Sequence, residues 1–182
     1  MARIGVMGCG VVACYGHLPA IVATPDLELQ AVFEPDPVRR AEVAQRFAPR
    51  HACADEAAFF ASGLDAVVVT SPAPCHRANV LAAIAAGLPV LCEKPLAMDE
   101  AEALEMAGAA KRAGVPLFTA FDYRFSPVAQ TIRQLVAAKA IGETRLLRLV
   151  YTWDCHGRWL RDRPGHELNH RRDGRMREGG PL

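Results

Sequence analysis

The sequence lacks any run of about 18 apolar residues, so no segment of it reads as a membrane span. No secretory leader is expected, because Met1 to Gly10 holds one arginine and three glycines in place of a continuous apolar stretch. Val6-Met7-Gly8-Cys9 has the spacing of a lipoprotein cleavage box, but the segment ahead of it is far too short. Charge of neither sign dominates. With 21 Lys and Arg against 20 Asp and Glu the formal net charge is +1, which leaves no concentrated basic face to release counterions from a nucleic acid. The seven arginines between Arg158 and Arg177 are interleaved with Asp162, Glu167 and Asp173, the mixed pattern of a solvated or loop-forming stretch. Cysteines number six, yet no two form a C-x-x-C pair or a Cys/His box, so no metal site is expected. Several lie inside apolar runs such as Val90-Leu91-Cys92, where a thiol behaves as a small hydrophobe. A soluble protein of the reducing cytoplasm is the plain expectation.

What is present is an alternation of short apolar runs with longer segments of helical period, the mark of a parallel α/β sheet. Strands are expected at Arg3–Met7, Leu27–Phe33, His51–Cys53, Ala66–Val69, Pro89–Cys92 and Leu117–Ala120. Helices are expected at Val12–Ala23, Val38–Phe47, Glu56–Ala61, His76–Ala86, Asp99–Ala113 and Pro127–Ala138. Ala66-Val67-Val68-Val69 is apolar on both faces, as a strand covered by helices on both sides must be. Gly87 and Gly114 give helix exits, and Asp99 with Glu102 suggests a capping box. Thr144–Trp153 reads as a long strand with no helix after it, the opening strand of a second sheet whose exposed edge invites self-association. The expected division is a doubly wound domain over residues 1–122 and the beginning of another over 123–182.

Four constellations carry chemistry. Gly8-Cys9-Gly10-Val11-Val12-Ala13 lies between the first strand and the first helix. There Gly8 permits a tight turn, Gly10 lets the backbone approach a pyrophosphate, and the helix N-terminus offers free N–H groups to phosphate. Glu34 follows the second strand about twenty residues beyond Ala13, where a carboxylate can hydrogen-bond ribose hydroxyls and repel a 2′-phosphate, favouring NAD over NADP. The competing reading makes Glu34 and Asp36 a polar turn, while Arg39 and Arg40 keep NADP open. Thr70-Ser71-Pro72, with Cys75 and His76, ends the fourth strand and can touch the far half of a cofactor; capping and packing roles serve these residues equally well. Glu93-Lys94-Pro95 ends the fifth strand, and its ammonium could stabilise alkoxide character on a substrate oxygen, against the alternative of a structural ion pair. Every one of these falls at a strand's carboxyl end, the side on which open α/β sheets bind ligands, and so does Phe121-Asp122-Tyr123-Arg124.

These residues resemble the glucose-fructose oxidoreductase and inositol dehydrogenase family, Gfo/Idh/MocA. The likeness runs through Gly8-Cys9-Gly10 with His17-Leu18-Pro19-Ala20, Thr70 with His76, Gly87 to Ala97 with its Glu93-Lys94-Pro95 block, and Tyr123-Arg124-Phe125-Ser126-Pro127. It implies NAD(P)-dependent oxidation or reduction at a hydroxyl or carbonyl carbon of a sugar, polyol or related small molecule. Lys94 would assist at the reacting oxygen. Gly8, Cys9, Gly10, Val11, Val12, Glu34, Thr70, Ser71, Pro72, His76, Glu93, Lys94 and Arg124 would hold the cofactor. Asp122 stands where the family more often has Asn. The resemblance further implies a second domain with a large sheet that covers the nicotinamide and makes homo-oligomers, here represented only by Thr144–Trp153. It also implies a helix beyond Leu182 bearing an Asp and a His. Two other readings stay open: a dinucleotide-binding module without turnover, and a Rossmann domain for FAD or S-adenosylmethionine.

Overall fold

A computed structural model of the chain describes residues 1–150. The six strands are β1 (Ala2–Met7), β2 (Leu27–Phe33), β3 (His51–Cys53), β4 (Ala66–Val69), β5 (Val90–Cys92) and β6 (Leu117–Thr119). They form one sheet in the order β3-β2-β1-β4-β5-β6, and every neighbouring pair is parallel. Parallel neighbours need a crossover, and helices supply each one. The order reverses between β1 and β4, which is where an open sheet of this kind leaves a crevice at its carboxyl ends. The doubly wound α/β fold read from the sequence is the fold observed.

Alternation along the strands divides the core in two. Met7, Val67, Val69 and Cys92 point to one face and pack with Phe59, Val80, Ile84 and Met106 from helices α3 (Glu56–Phe60), α4 (Ala73–Ala85) and α5 (Glu100–Ala113). Val6, Val32 and Val68 point to the other and pack with Ala13, Leu18, Ile21 and Val43 from α1 (Leu18–Ala23), the π-turn before it (Ala13–His17) and α2 (Pro37–Phe47). Burying apolar side chains on both faces at roughly 25 cal/mol per Å² is the main force that fixes the helices over the sheet. Helix ends are set locally. Asp36, Asp55 and Asp99 accept main-chain N–H bonds at the starts of α2, α3 and α5, and Glu102 reaches back to the N–H of Met98 at 3.1 Å. Leu88 N–H bonds Ala83 C=O and Val115 N–H bonds Ala110 C=O, closing α4 and α5 with Schellman turns.

Two sequence expectations need correction. Helix α4 begins at Ala73 rather than His76, because Pro74 sits in its first turn, where no N–H is required. Over residues 144–150 no strand forms; a strand is held by bonds to a neighbour, and no described segment pairs with this one. The rest of the expected strand, residues 151–153, and the arginine-rich segment lie outside the described residues. The chain divides into two compact units, Met1–Ala120 and Phe121–Leu182. The described part of the second holds a short 3₁₀ turn (Asp122–Phe125) and α6 (Pro127–Ala137), capped by Ser126 and with no buried residue.

Candidate functional site

The residue after every strand except the edge strand β3 is tied by its N–H to the last residue of the neighbouring strand. Glu34 bonds Cys53 C=O at 3.1 Å, Gly8 bonds Phe33 at 2.9 Å, Thr70 bonds Met7 at 2.8 Å, Glu93 bonds Val69 at 2.9 Å and Ala120 bonds Cys92 at 2.8 Å. One row of main-chain bonds therefore fixes Glu34, Gly8, Thr70 and Glu93 side by side along the carboxyl rim. From Glu34 to Glu93 the row crosses three strand intervals, roughly 14 Å at the usual interstrand spacing.

At the β1 end the turn is made by Gly8, with φ of 90°. A Cβ there would lie 2.5 Å from Ser71 Cα, so only glycine lets the two loops touch. Thr70 seals the contact, its hydroxyl donating to Gly8 C=O at 2.6 Å. Gly10 differs: a Cβ on it would meet nothing within 4 Å, so the space beside its backbone is open. The first helical bond runs from Cys14 N–H to Gly10 C=O, which leaves the N–H groups ahead of Cys14 without intrahelical partners. Cys9 is buried; burial first, then the charge of Glu34, pushes its thiol up to about 12, so it serves as packing rather than as a nucleophile.

Glu34 is 4% exposed. One carboxylate oxygen accepts from Cys9 N–H at 2.9 Å and the other from Asp36 N–H at 3.1 Å, so the side chain braces the glycine loop as well as facing the rim. Arg39 lies 3.6 Å from the same carboxylate, while Arg40 bonds the carbonyls of Glu34 and Pro35. Each oxygen retains a lone pair for a further donor.

On the other side of the crevice Ser71 donates to Asn79 Oδ1 at 2.7 Å, and His76, 1% exposed, lies 2.8 Å from both Pro95 C=O and Ser71 C=O. Glu93 is held by His17 Nε2 at 2.8 Å and by Lys94 N–H at 3.0 Å. Burial pushes the Glu93 carboxyl up, but the bonds from His17 and Lys94 N–H, with the electrostatic pull of those residues, outweigh it and leave the group below the ordinary carboxylate range. The Lys94 side chain is exposed, and the Lys94–Pro95 peptide is cis.

Of the residues singled out in the sequence, Gly8 to Val12, Glu34, Thr70 to Pro72, His76, Glu93 and Lys94 all lie in the first unit, at or directly behind one rim. Arg124 lies in the second unit, in the 3₁₀ turn. His17, Asn79 and the bracing role of Glu34 were not foreseen. Only contacts across 76, 8 and 25 residues reveal them, and no local pattern encodes these. Among the described residues no cluster of His, Cys, Asp and Glu suited to a metal is found, and no helix is long and apolar enough to cross a membrane.

A parallel sheet of this order with a glycine turn after β1 and an acidic residue after β2 defines a dinucleotide-binding Rossmann domain. Residues 2–121 match the model of the oxidoreductase family with an NAD-binding Rossmann fold, Gfo/Idh/MocA, and the chain belongs to that family. It is 34% identical over 148 residues to a myo-inositol dehydrogenase of Streptomyces leeuwenhoekii, covering 81% of this chain and 45% of the relative. Among solved structures, an oxidoreductase from Agrobacterium radiobacter in complex with NAD+, L-tartaric acid and magnesium superposes with a TM-score of 0.74 at 29% identity, covering 78% of this chain and 42% of that one. A 3-ketoreductase from Actinomadura kijaniata in complex with NADP and TDP-benzene gives 0.69 at 29% identity, with 75% and 42% covered. The chain thus spans less than half the length of these relatives.

Proposed function

We propose that this chain is the cofactor-binding part of an NAD-dependent dehydrogenase that acts on a hydroxyl-bearing carbon of a sugar or polyol, with Lys94 at the reacting oxygen. The observation that carries this is the single row of residues along the rim, with a glycine turn and a buried carboxylate at one end and an exposed lysine at the other. The residues fit a dinucleotide. The open space beside Gly10 admits a pyrophosphate to the backbone, and the N–H groups of Gly10 to Ala13, which have no intrahelical partner, offer donors to it. The Glu34 carboxylate has lone pairs for ribose hydroxyls and disfavours a 2′-phosphate, which favours NAD over NADP despite Arg39.

Bound there, the nicotinamide supplies the hydride acceptor or donor. The Lys94 ammonium donates a hydrogen bond to the substrate oxygen and stabilises negative charge as it develops there. Glu93 fixes the main chain of Lys94 and adds a compensating charge beside it. Thr70 and Ser71 shape the floor between the two ends. The polyol class is supported by the inositol dehydrogenase to which the chain is similar.

Titration calorimetry with NADH, NADPH, FAD and S-adenosylmethionine tests the cofactor, with binding of NADH the strongest and Gly10→Val weakening it at least tenfold. A yellow protein, or tighter binding of S-adenosylmethionine, would overturn the assignment. Turnover is tested on the full-length gene product with a polyol panel, read at the reduced-nicotinamide band. Lys94→Ala is expected to lower kcat on the order of 10²- to 10³-fold while NADH still binds. Tight NADH binding with no turnover of any polyol would leave a dinucleotide-binding module.

A further inference from the structure

Residues 93–95 are gripped from two directions by histidines that come from different helices. His17 closes the π-turn of the first helix and places Nε2 2.8 Å from Glu93 Oε1, and the other Glu93 oxygen accepts from the N–H of Lys94. His76, on α4, places Nδ1 2.8 Å from the carbonyl of Pro95. The lysine is thus flanked by two fixed neighbours, one anchored through its carboxylate and one through its main-chain oxygen. The anchors are themselves held. His76 Nε2 lies 2.8 Å from Ser71 C=O, and Ser71 is bound to Asn79 on the same helix. His76 therefore ties the Thr70–Ser71 loop to the Lys94 loop across the crevice.

The chemistry of the partners is informative. Both oxygens facing His76 are carbonyls, which only accept, so the ring nitrogen that carries the proton donates to one of the two loops while the ring stays wedged between both. His76 is fully buried, where an apolar residue would fill the space at no desolvation cost. His17 is likewise mostly buried, with 18% of its side chain exposed against 14% for Glu93. Two imidazoles set against one three-residue segment that carries an exposed lysine are more than packing requires.

We propose that His17 and His76 are positioning residues that clamp the Glu93–Lys94–Pro95 backbone and so aim the Lys94 ammonium into the crevice. Its functional value rests on the reading of Lys94 given above, but the clamp itself is a property of the cofactor-free protein. The chain contains three lysines, Lys94, Lys111 and Lys139, so reductive methylation with a ¹³C label gives an NMR spectrum in which Lys94 can be followed alone. Hydrogen exchange at the amides of Glu93, Lys94, Leu96 and Ala97 reports the segment, with Val67 to Val69 as the sheet reference.

In His17→Ala and in His76→Leu, which keeps apolar bulk, exchange of the segment is expected to accelerate roughly tenfold, the scale of one lost buried hydrogen bond. The sheet reference should stay unchanged, and the Lys94 methyl signals should shift while those of Lys111 and Lys139 hold. His17→Gln, which restores a donor to Glu93, should return both readouts close to wild type. If His76→Leu does not fold, the His17 pair carries the test. An unmoved Lys94 signal with unchanged exchange overturns the clamp, and so does uniform acceleration that includes Val67 to Val69. Neither readout involves substrate or nicotinamide, so full turnover in Lys94→Ala would remove the catalytic reading while leaving the clamp result intact.

Discussion

The two ends of the rim each present a glutamate as the first residue after a strand, yet they hold it by different means. Glu34 is fixed by main-chain N–H groups, those of Cys9 and Asp36, and is almost wholly buried. Glu93 is fixed on one side by the N–H of the next residue and on the other by a side chain from a distant helix. The first arrangement is built from backbone, which any sequence possesses, and it depends on the path of the chain. The second depends on one residue type at one position. The half of the rim that holds the glycine turn is therefore fixed by the path of the chain, whereas the half that carries Glu93 and Lys94 is tunable by substitution.

The largest effect is expected from breaking the backbone-built half. Gly8→Val puts a branched side chain where a Cβ alone meets Ser71 at 2.5 Å, in a backbone conformation with positive φ. A loss of about 3 kcal/mol or more in urea unfolding is expected, with NADH binding abolished in calorimetry. Wild-type stability in this variant would mean that the two loops do not touch as described. A smaller effect is expected when the charge alone is removed. Glu34→Gln leaves one of the two N–H groups facing an amide NH₂, at a cost of about 1–3 kcal/mol. It also frees Arg39 from its carboxylate, so the ratio of NADPH to NADH affinity should rise roughly tenfold, worth about 1.4 kcal/mol. An unchanged ratio would remove Glu34 from cofactor discrimination.

The smallest effect belongs to the tunable half and is read in acid. The folded Glu93 carboxyl lies below its ordinary range, so its contribution to stability is fully present above the unfolded value, about 4.3. That contribution is lost as pH falls through the folded value. Glu93→Gln cannot lose it. Urea midpoints followed from about pH 6 to pH 3 should therefore fall more steeply for wild type than for the variant, and parallel curves would show that the His17 contact contributes nothing. Asp65, held at about 2 by its bonds from Arg3, sits in both proteins and cancels from the comparison.

Much of this was legible in the amino-acid order. β2, β3 and β4 begin and end where Pro, Asp and Gly punctuate the apolar runs, and the glycine turn, Glu34 and Glu93-Lys94-Pro95 declared their strand ends because each follows such a run directly. What could not be read depends on long-range fit. Nothing near Glu34 announces that Cys9 will donate to it, and His76, open to a capping or packing reading, proves to join two loops that lie 24 residues apart at Ser71 and Pro95. Thr144 to Val150 has the composition of a strand, but composition cannot supply the neighbour that a strand requires.

The π-turn at Ala13–His17 bears on the length of the first helix. Ala13 and Leu18 are five residues apart and both fully buried, a spacing that an α-helix would send to different sides, since five steps of about 100° overshoot a full circle by about 140°. Pro19 has no N–H to give and its ring crowds the carbonyl four residues back; the wider turn, closed by Leu18 N–H on Ala13 C=O, accommodates it and brings both side chains onto the same core. The helix thus contains one residue more than its two anchors demand. The extra residue in the wider turn lets His17, the last residue before the second anchor, reach Glu93 while both anchors stay seated.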